Sequence, residues 1–161
     1  MTPRPFLAAL LVAGAMTLPA TPAMSGETFA LLTDGEARLT RLGGAERPAR
    51  TRALEPVKHD GPEIRIHAPR GFDLDSPVDF DVEIVPKDGV EPDMASLKIE
   101  YRIGPFWTDV TDRLRQNARM SGMRMLAPGA QLPEGDHLLR LTIGDREGRI
   151  TVARLSFTVG H

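Results

Sequence analysis

From Pro62 onward, apolar and polar residues take turns in short runs. Ile64 and Ile66 alternate with Glu63, Arg65 and His67, and Val78, Phe80, Val82 and Ile84 alternate with Asp79, Asp81 and Glu83. Leu97, Ile99, Tyr101 and Ile103 alternate with Lys98, Glu100 and Arg102. Leu139, Leu141 and Ile143 share one face of a later run, and Ala153, Leu155, Phe157 and Val159 share a face of the last. Successive side chains on a strand point to opposite faces, so this period of two predicts half-buried strands. Pro69-Arg70-Gly71, Pro86-Lys87-Asp88-Gly89, Gly104-Pro105 and Asp145-Arg146-Glu147-Gly148 supply the turns between them. Trp107 to Val110 reads as a short fourth strand, Thr111 to Ala118 as a helical turn or loop, and Met120 to Leu126 as a weaker strand around Gly122. The sum is about seven short strands and an all-β, antiparallel sandwich over residues 62–161.

The pattern before Pro62 is different. Residues 1–25 hold one charge, Arg4, then the apolar stretch Phe6 to Met16, then small residues and prolines around Ala23 and Ser25. That order predicts a secretory signal peptide, and its greasy core is shorter than the roughly 20 residues a membrane span needs. In residues 26–42, Asp34-Gly35 is compatible with a hairpin turn. Thr33 with Glu36 three residues on forms a capping box, flanked by Leu32 and Ala37 as a hydrophobic staple, and favours a short helix. Residues 43–61 contain Gly43, Gly44, Pro48, Pro56 and Gly61 among scattered charges, the composition of a flexible linker.

Composition narrows the chemistry. The chain has no cysteine, which excludes a disulfide framework, a thiol nucleophile and thiolate metal sites. The roughly 135 residues after the leader suffice for one ordinary core. The net charge is −2, and the mildly basic stretch Arg47, Arg50, Arg52 and Lys58 is diluted by acids and prolines, so no nucleic-acid footprint is present. The expected protein is periplasmic or secreted, with no membrane span in its mature form.

The segment Leu132-Pro133-x-Gly135-x-His137-x-Leu139-x-Leu141-x-Ile143-x-Asp145-x-x-Gly148-Arg149 resembles the closing strands of bacterial extracytoplasmic immunoglobulin-like domains. Gly61-Pro62-Glu63-Ile64-Arg65-Ile66, Ser76-Pro77-Val78, Ser96-Leu97-Lys98-Ile99-x-Tyr101 and Asp109-Val110-Thr111-Asp112-Arg113 fit the same pattern. The likeness covers about residues 60 to 160. It is similar to the periplasmic fibronectin- and PKD-like sandwich domains of unknown function, and it implies an immunoglobulin-like fold without assigning catalytic residues. The absence of a cysteine pair makes antibody-type domains a poor match.

Candidate chemistry is sparse. His59, His67, His137 and His161 are the only histidines, with no G-x-S-x-G elbow and no H-E-x-x-H, so neither a hydrolase triad nor a zinc centre is expected. Asp73 and Asp75 offer oxygens for calcium, but Asp79 and Asp81 read as the wet face of a strand. Met120, Met123 and Met125 do not share a strand face and read as adaptable packing rather than a copper site. The remaining feature is aromatic. Phe106 and Trp107, the sole tryptophan, follow Gly104-Pro105 near Tyr101, the sole tyrosine, with Arg113 and Arg115 as rim charges. These five residues form the expected contact surface of a non-catalytic module without cofactor or metal. Its partner is another envelope protein, or alternatively a glycan; a small hydrolase or metal-dependent enzyme is the third class. Residues 28–42 are expected to dock on the sandwich or on a second copy, the latter giving a homodimer.

Overall fold

The computed structural model describes residues 27–42, 53–71 and 73–160, with backbone alone for 41–42 and 53–57. Residues 1–26, most of which fall in the expected signal peptide, and residues 43–52 lie outside this description. The elements run β1 (Phe29–Ala30), α1 (Asp34–Leu42), β2 (Ala53–His59), β3 (Glu63–Ala68), β4 (Val78–Val85), β5 (Pro92–Ile103), β6 (Phe106–Asp109), α2 (Thr111–Gln116), β7 (Arg119–Ser121), β8 (Arg124–Gln131), β9 (Gly135–Asp145) and β10 (Ile150–Val159). One sheet has the order β1-β8-β4-β3, with β7 also on β8; the other has the order β2-β10-β9-β5-β6. The alternating strands turn their apolar faces inward, and Ile64, Phe80, Ile84, Ile99, Leu139, Leu141, Leu155 and Phe157 belong to one buried cluster between the two layers. Every pairing between these strands is antiparallel except the short β1–β8 contact.

Three stretches depart from the expected pattern. Residues 53–59, read as linker, form β2 and pair with β10 from Thr151↔His59 to Ser156↔Ala53. Pro56 disguises this strand, since it breaks the apolar rhythm and cannot donate to a ladder. The site tolerates it because β2 is an edge strand and its register shifts by a bulge between Val152 and Ala153. β5 begins at Pro92, five residues before the alternating run at Leu97, and its pairing with β9 is interrupted between Asp93 and Lys98. Arg115 on α2 donates to the carbonyls of Met94, Ala95 and Leu97 at 3.0, 3.3 and 2.9 Å, which satisfies the interrupted ladder. The weak strand at Met120 to Leu126 is a hairpin of β7 and β8 about Gly122, whose φ of 58° suits a residue without a Cβ.

The N-terminal segment closes one side of the sandwich. Phe29 and Ala30 run parallel to Ala130 and Gln131 on the edge of β8. Leu31 and Leu32 are 0% and 6% exposed, a burial worth about 2 kcal/mol for each side chain. α1 starts with a capping box: the Thr33 N–H and hydroxyl donate to Glu36 Oε2 at 2.7 and 2.9 Å, and the Glu36 N–H donates to Thr33 Oγ1 at 3.3 Å. The chain crosses between layers at Gly61, where a Cβ would lie 2.8 Å from the Arg149 carbonyl oxygen. Arg149 itself is held by Asp145, Asp88 and the Lys87 carbonyl at 2.7, 3.0 and 3.2 Å. Among the described residues no helix is long and apolar enough to cross a membrane.

Candidate functional site

The hairpin of β5 and β6 places Trp107 opposite Arg102 and Phe106 opposite Ile103. Trp107 therefore stands on the outer face of its sheet, the face that carries Lys98, Glu100 and Arg102 on β5 and Arg140 on β9. The guanidinium of Arg140 lies 4.4 Å from the indole centroid and that of Arg102 lies 6.0 Å from it. Both distances permit attraction between cation and ring face. Arg140 is aimed by Glu100, whose carboxylate accepts from Arg140 Nε at 2.7 Å and from Lys98 Nζ at 2.9 Å. The Arg140 hydrogen bond is the main reason the Glu100 pKa is lowered, with burial pulling the other way and Lys98 adding to the lowering. Phe106 is 72% exposed, the most exposed large apolar side chain among the described residues. β6 forms one end of its sheet, so the backbone beside Phe106 and Trp107 is a sheet edge.

Of the five residues grouped by sequence, only Phe106 and Trp107 present rings at the β6 edge, as chain neighbours on opposite faces of the strand: Trp107 with outward Arg102, and Phe106 in register with Ile103 but 72% exposed. Tyr101 is corrected to the core, with 0% exposure. Its hydroxyl donates to His137 Nδ1 at 2.5 Å, and His137 Nε2–H donates to the Pro133 carbonyl at 2.9 Å, an arrangement that fixes the neutral tautomer. His137 stacks on Phe157 at 5.2 Å between ring centroids, and Phe157 meets Phe80 of the opposite sheet edge-on at 6.0 Å. Burial pushes the Tyr101 hydroxyl pKa up, against a smaller lowering from Thr40. Burial likewise lowers His137 to about 4, with the Pro133 carbonyl and Asp136 opposing. A histidine held in this way is a packing element with satisfied nitrogens, unsuited to act as a base.

The two rim arginines are also engaged elsewhere. Arg113 Nη1 donates to the Leu31 carbonyl at 3.0 Å and to Glu36 Oε2 at 2.7 Å, and its Nη2 reaches Glu36 Oε1 at 3.1 Å. Arg115 grips the β5 carbonyls already described. The cations that do border Trp107 are Arg102 and Arg140. Cross-strand register would have found Arg102, since a two-residue turn at Gly104-Pro105 sets it against Trp107, whereas Arg140 arrives from β9 opposite Glu100.

Elsewhere the polar groups are structural. His67 Nε2 and Glu83 are 2.8 Å apart on a half-buried face. Asp79 accepts the Gly129 N–H at 2.8 Å and Asp81 pairs with Arg124 at 2.7 Å, so these aspartates are not free to form an oxygen cage with Asp73 and Asp75. Among the described residues no three His, Asp or Glu side chains gather in a way that would hold a metal ion. A cleft of about 460 Å³ opens at the seam between the sheets, lined by Pro62, Ile64, Pro86, Lys87, Thr151 and Ala153 among others. Its one histidine, His59, is exposed, and the nearby Glu63 carboxylate is tied to Arg65 at 2.9 Å. The chain matches no protein-family model, no curated protein and no solved structure.

Proposed function

We propose that this chain is an exported, non-catalytic module of the bacterial cell envelope, immunoglobulin-like in its sandwich, that binds another envelope protein along the β6 edge. The observation that carries the reading is the pair at that edge: Phe106, 72% exposed, beside Trp107 braced by Arg140 at 4.4 Å. Exposed aromatics on a rigid strand lose little freedom on binding and anchor protein interfaces. The other sheet ends are better guarded. β3 carries Glu63, Arg65 and His67, β2 carries Pro56, and β1 is only 2 residues long, all recognised defences against strand addition. β6, with the sequence Phe-Trp-Thr-Asp, has no proline and no lysine. A partner strand laid along it would meet apolar rings first and guanidinium groups next.

The test is a photoreactive amino acid at position 106 in intact cells, with position 126 on the other sheet as control. A discrete protein adduct from 106 and none from 126 supports the reading. No adduct from 106, or the same adducts from both, overturns it. A second reading, an anionic glycan stacked on Trp107, is favoured by the two guanidiniums at the ring. Because Trp107 is the only tryptophan, a saturable shift of its emission on titration with a carboxylated polysaccharide would select that reading instead.

A further inference from the structure

We propose that the groove holding residues 27–42 also accepts that segment from a second copy of this chain, producing a dimer by reciprocal exchange. The groove is a built recognition site. It offers the edge of β8 for two residues of strand, buried room for Leu31 and Leu32, and a two-pronged guanidinium for a carboxylate. The segment supplies each complement in order: Phe29–Ala30, then the leucine pair, then Glu36. Gln131 Nε2 adds a hydrogen bond to Thr28 Oγ1 at 3.0 Å, and Gly129 leaves room for the chain, since a Cβ there would lie 3.1 Å from the Glu27 carbonyl oxygen.

Two features make the segment transferable. Its polar tethers to Arg113 and Gln131 reach distant parts of the sequence, with separations of 77, 82 and 103 residues. A segment from another copy meets identical groups in identical geometry, so exchange sacrifices none of these contacts. The segment also carries its own shape, because the capping box is internal to Thr33 and Glu36. The connection over residues 43–52 can span up to roughly 35 Å if extended, enough to leave one sandwich for its neighbour. Charge complementarity selects this occupant: Arg113 takes the one carboxylate that the cap has already oriented.

The experiment uses two full-length variants, Glu36→Arg and Arg113→Glu. Each alone sets like charges against each other in the groove. Mixed, an exchanged heterodimer has complementary charge in both grooves. One holds the introduced arginine against the introduced glutamate, and the other holds the native Glu36 against the native Arg113. The expected result is a heterodimer by native mass spectrometry whose association constant is roughly a hundredfold above that of the dimer of either variant alone, about tenfold for each of the two restored charge-assisted pairs. A mixture that stays monomeric, or that dimerises no more than its components, overturns the proposal. Circular dichroism and Trp107 emission report whether both variants keep the sandwich. If either unfolds, the same question is put to Thr28→Cys mixed with Gln131→Cys in this otherwise cysteine-free chain. A disulfide joining the two different chains supports exchange. Closure only when both cysteines are on one chain shows that the segment stays at home and overturns it.

Discussion

Glu100 and Tyr101 are neighbours on β5, and their partners Arg140 and Leu139 are neighbours on β9, yet the two faces of these strands do opposite things. On the inner face, Tyr101 and His137 bond to each other and to the Pro133 carbonyl, and their rings continue through Phe157 to Phe80. Their hydrogen-bonding groups are consumed internally, and a solvent molecule or partner cannot reach them. On the outer face, Glu100 and Arg140 also pair, but the pair braces an indole that stays partly exposed. The same alternation thus separates a polar contact that holds the layers together from one that presents a surface. Polar pairing alone does not mark a functional site; what matters is whether a ring or charge is left over for something else.

This contrast is open to direct attack, most strongly from the inside. His137→Ala removes a ring from the column and leaves the Tyr101 hydroxyl without its acceptor, so denaturant unfolding should show a loss of about 3 to 4 kcal/mol. An undiminished midpoint would mean that the column is not a structural member. Acid should act on the same residue. His137 stays neutral in the folded chain down to a pKa of about 4, whereas in the unfolded chain it takes a proton near its ordinary value of 6.5. The unfolded chain therefore binds more protons between those values. The contribution is fully present above about pH 6.5 and falls by about 3 kcal/mol as pH drops to about 4. Stability measured across that window should slope in the native chain and flatten in His137→Phe.

Moving outward, Arg115→Ala should cost about 2 kcal/mol by stranding the carbonyls of Met94, Ala95 and Leu97, and should raise hydrogen exchange locally in the first half of β5. Arg140→Gln should cost about 1 kcal/mol and alter the emission of Trp107, the ring it covers. Phe106→Ser should change the midpoint least, by less than about 0.5 kcal/mol, while abolishing the adduct formed by a photoreactive residue placed instead at position 108 of the same strand. A large loss of stability at Phe106 would mean that this ring, in register with buried Ile103, serves the core rather than the edge.

The strands that alternate cleanly, β3, β4, the later part of β5, β9 and β10, are legible in the sequence because nothing interrupts their period. The Thr33–Glu36 cap is legible because both of its members are local. β2 is hidden by Pro56 and the early part of β5 by Pro92, since the neighbouring strand that tolerates each interruption is far away in sequence. Tyr101 is the instructive error. The alternation that identifies β5 already sets it with Leu97, Ile99 and Ile103 on the inward face, and closeness in sequence to Trp107 carries less weight than that placement. Arg113 and Arg115 mislead for another reason. Their acceptors, Glu36 and a run of backbone carbonyls near residue 95, leave no local trace. The expected leader over residues 1–25 and the first part of the expected linker lie outside the described residues, so their reading stands on composition and pattern.

The corner at Gly61 has a consequence of its own. With Arg149 gripped from three directions, the backbone it meets has nowhere to retreat, so the missing side chain acts as a shim of zero thickness that sets how closely the two layers can sit. Even one added methyl at that point would have to prop the seam open, freeing the outermost ribbon at Ala53–His59 before anything at the far end of the molecule felt the change.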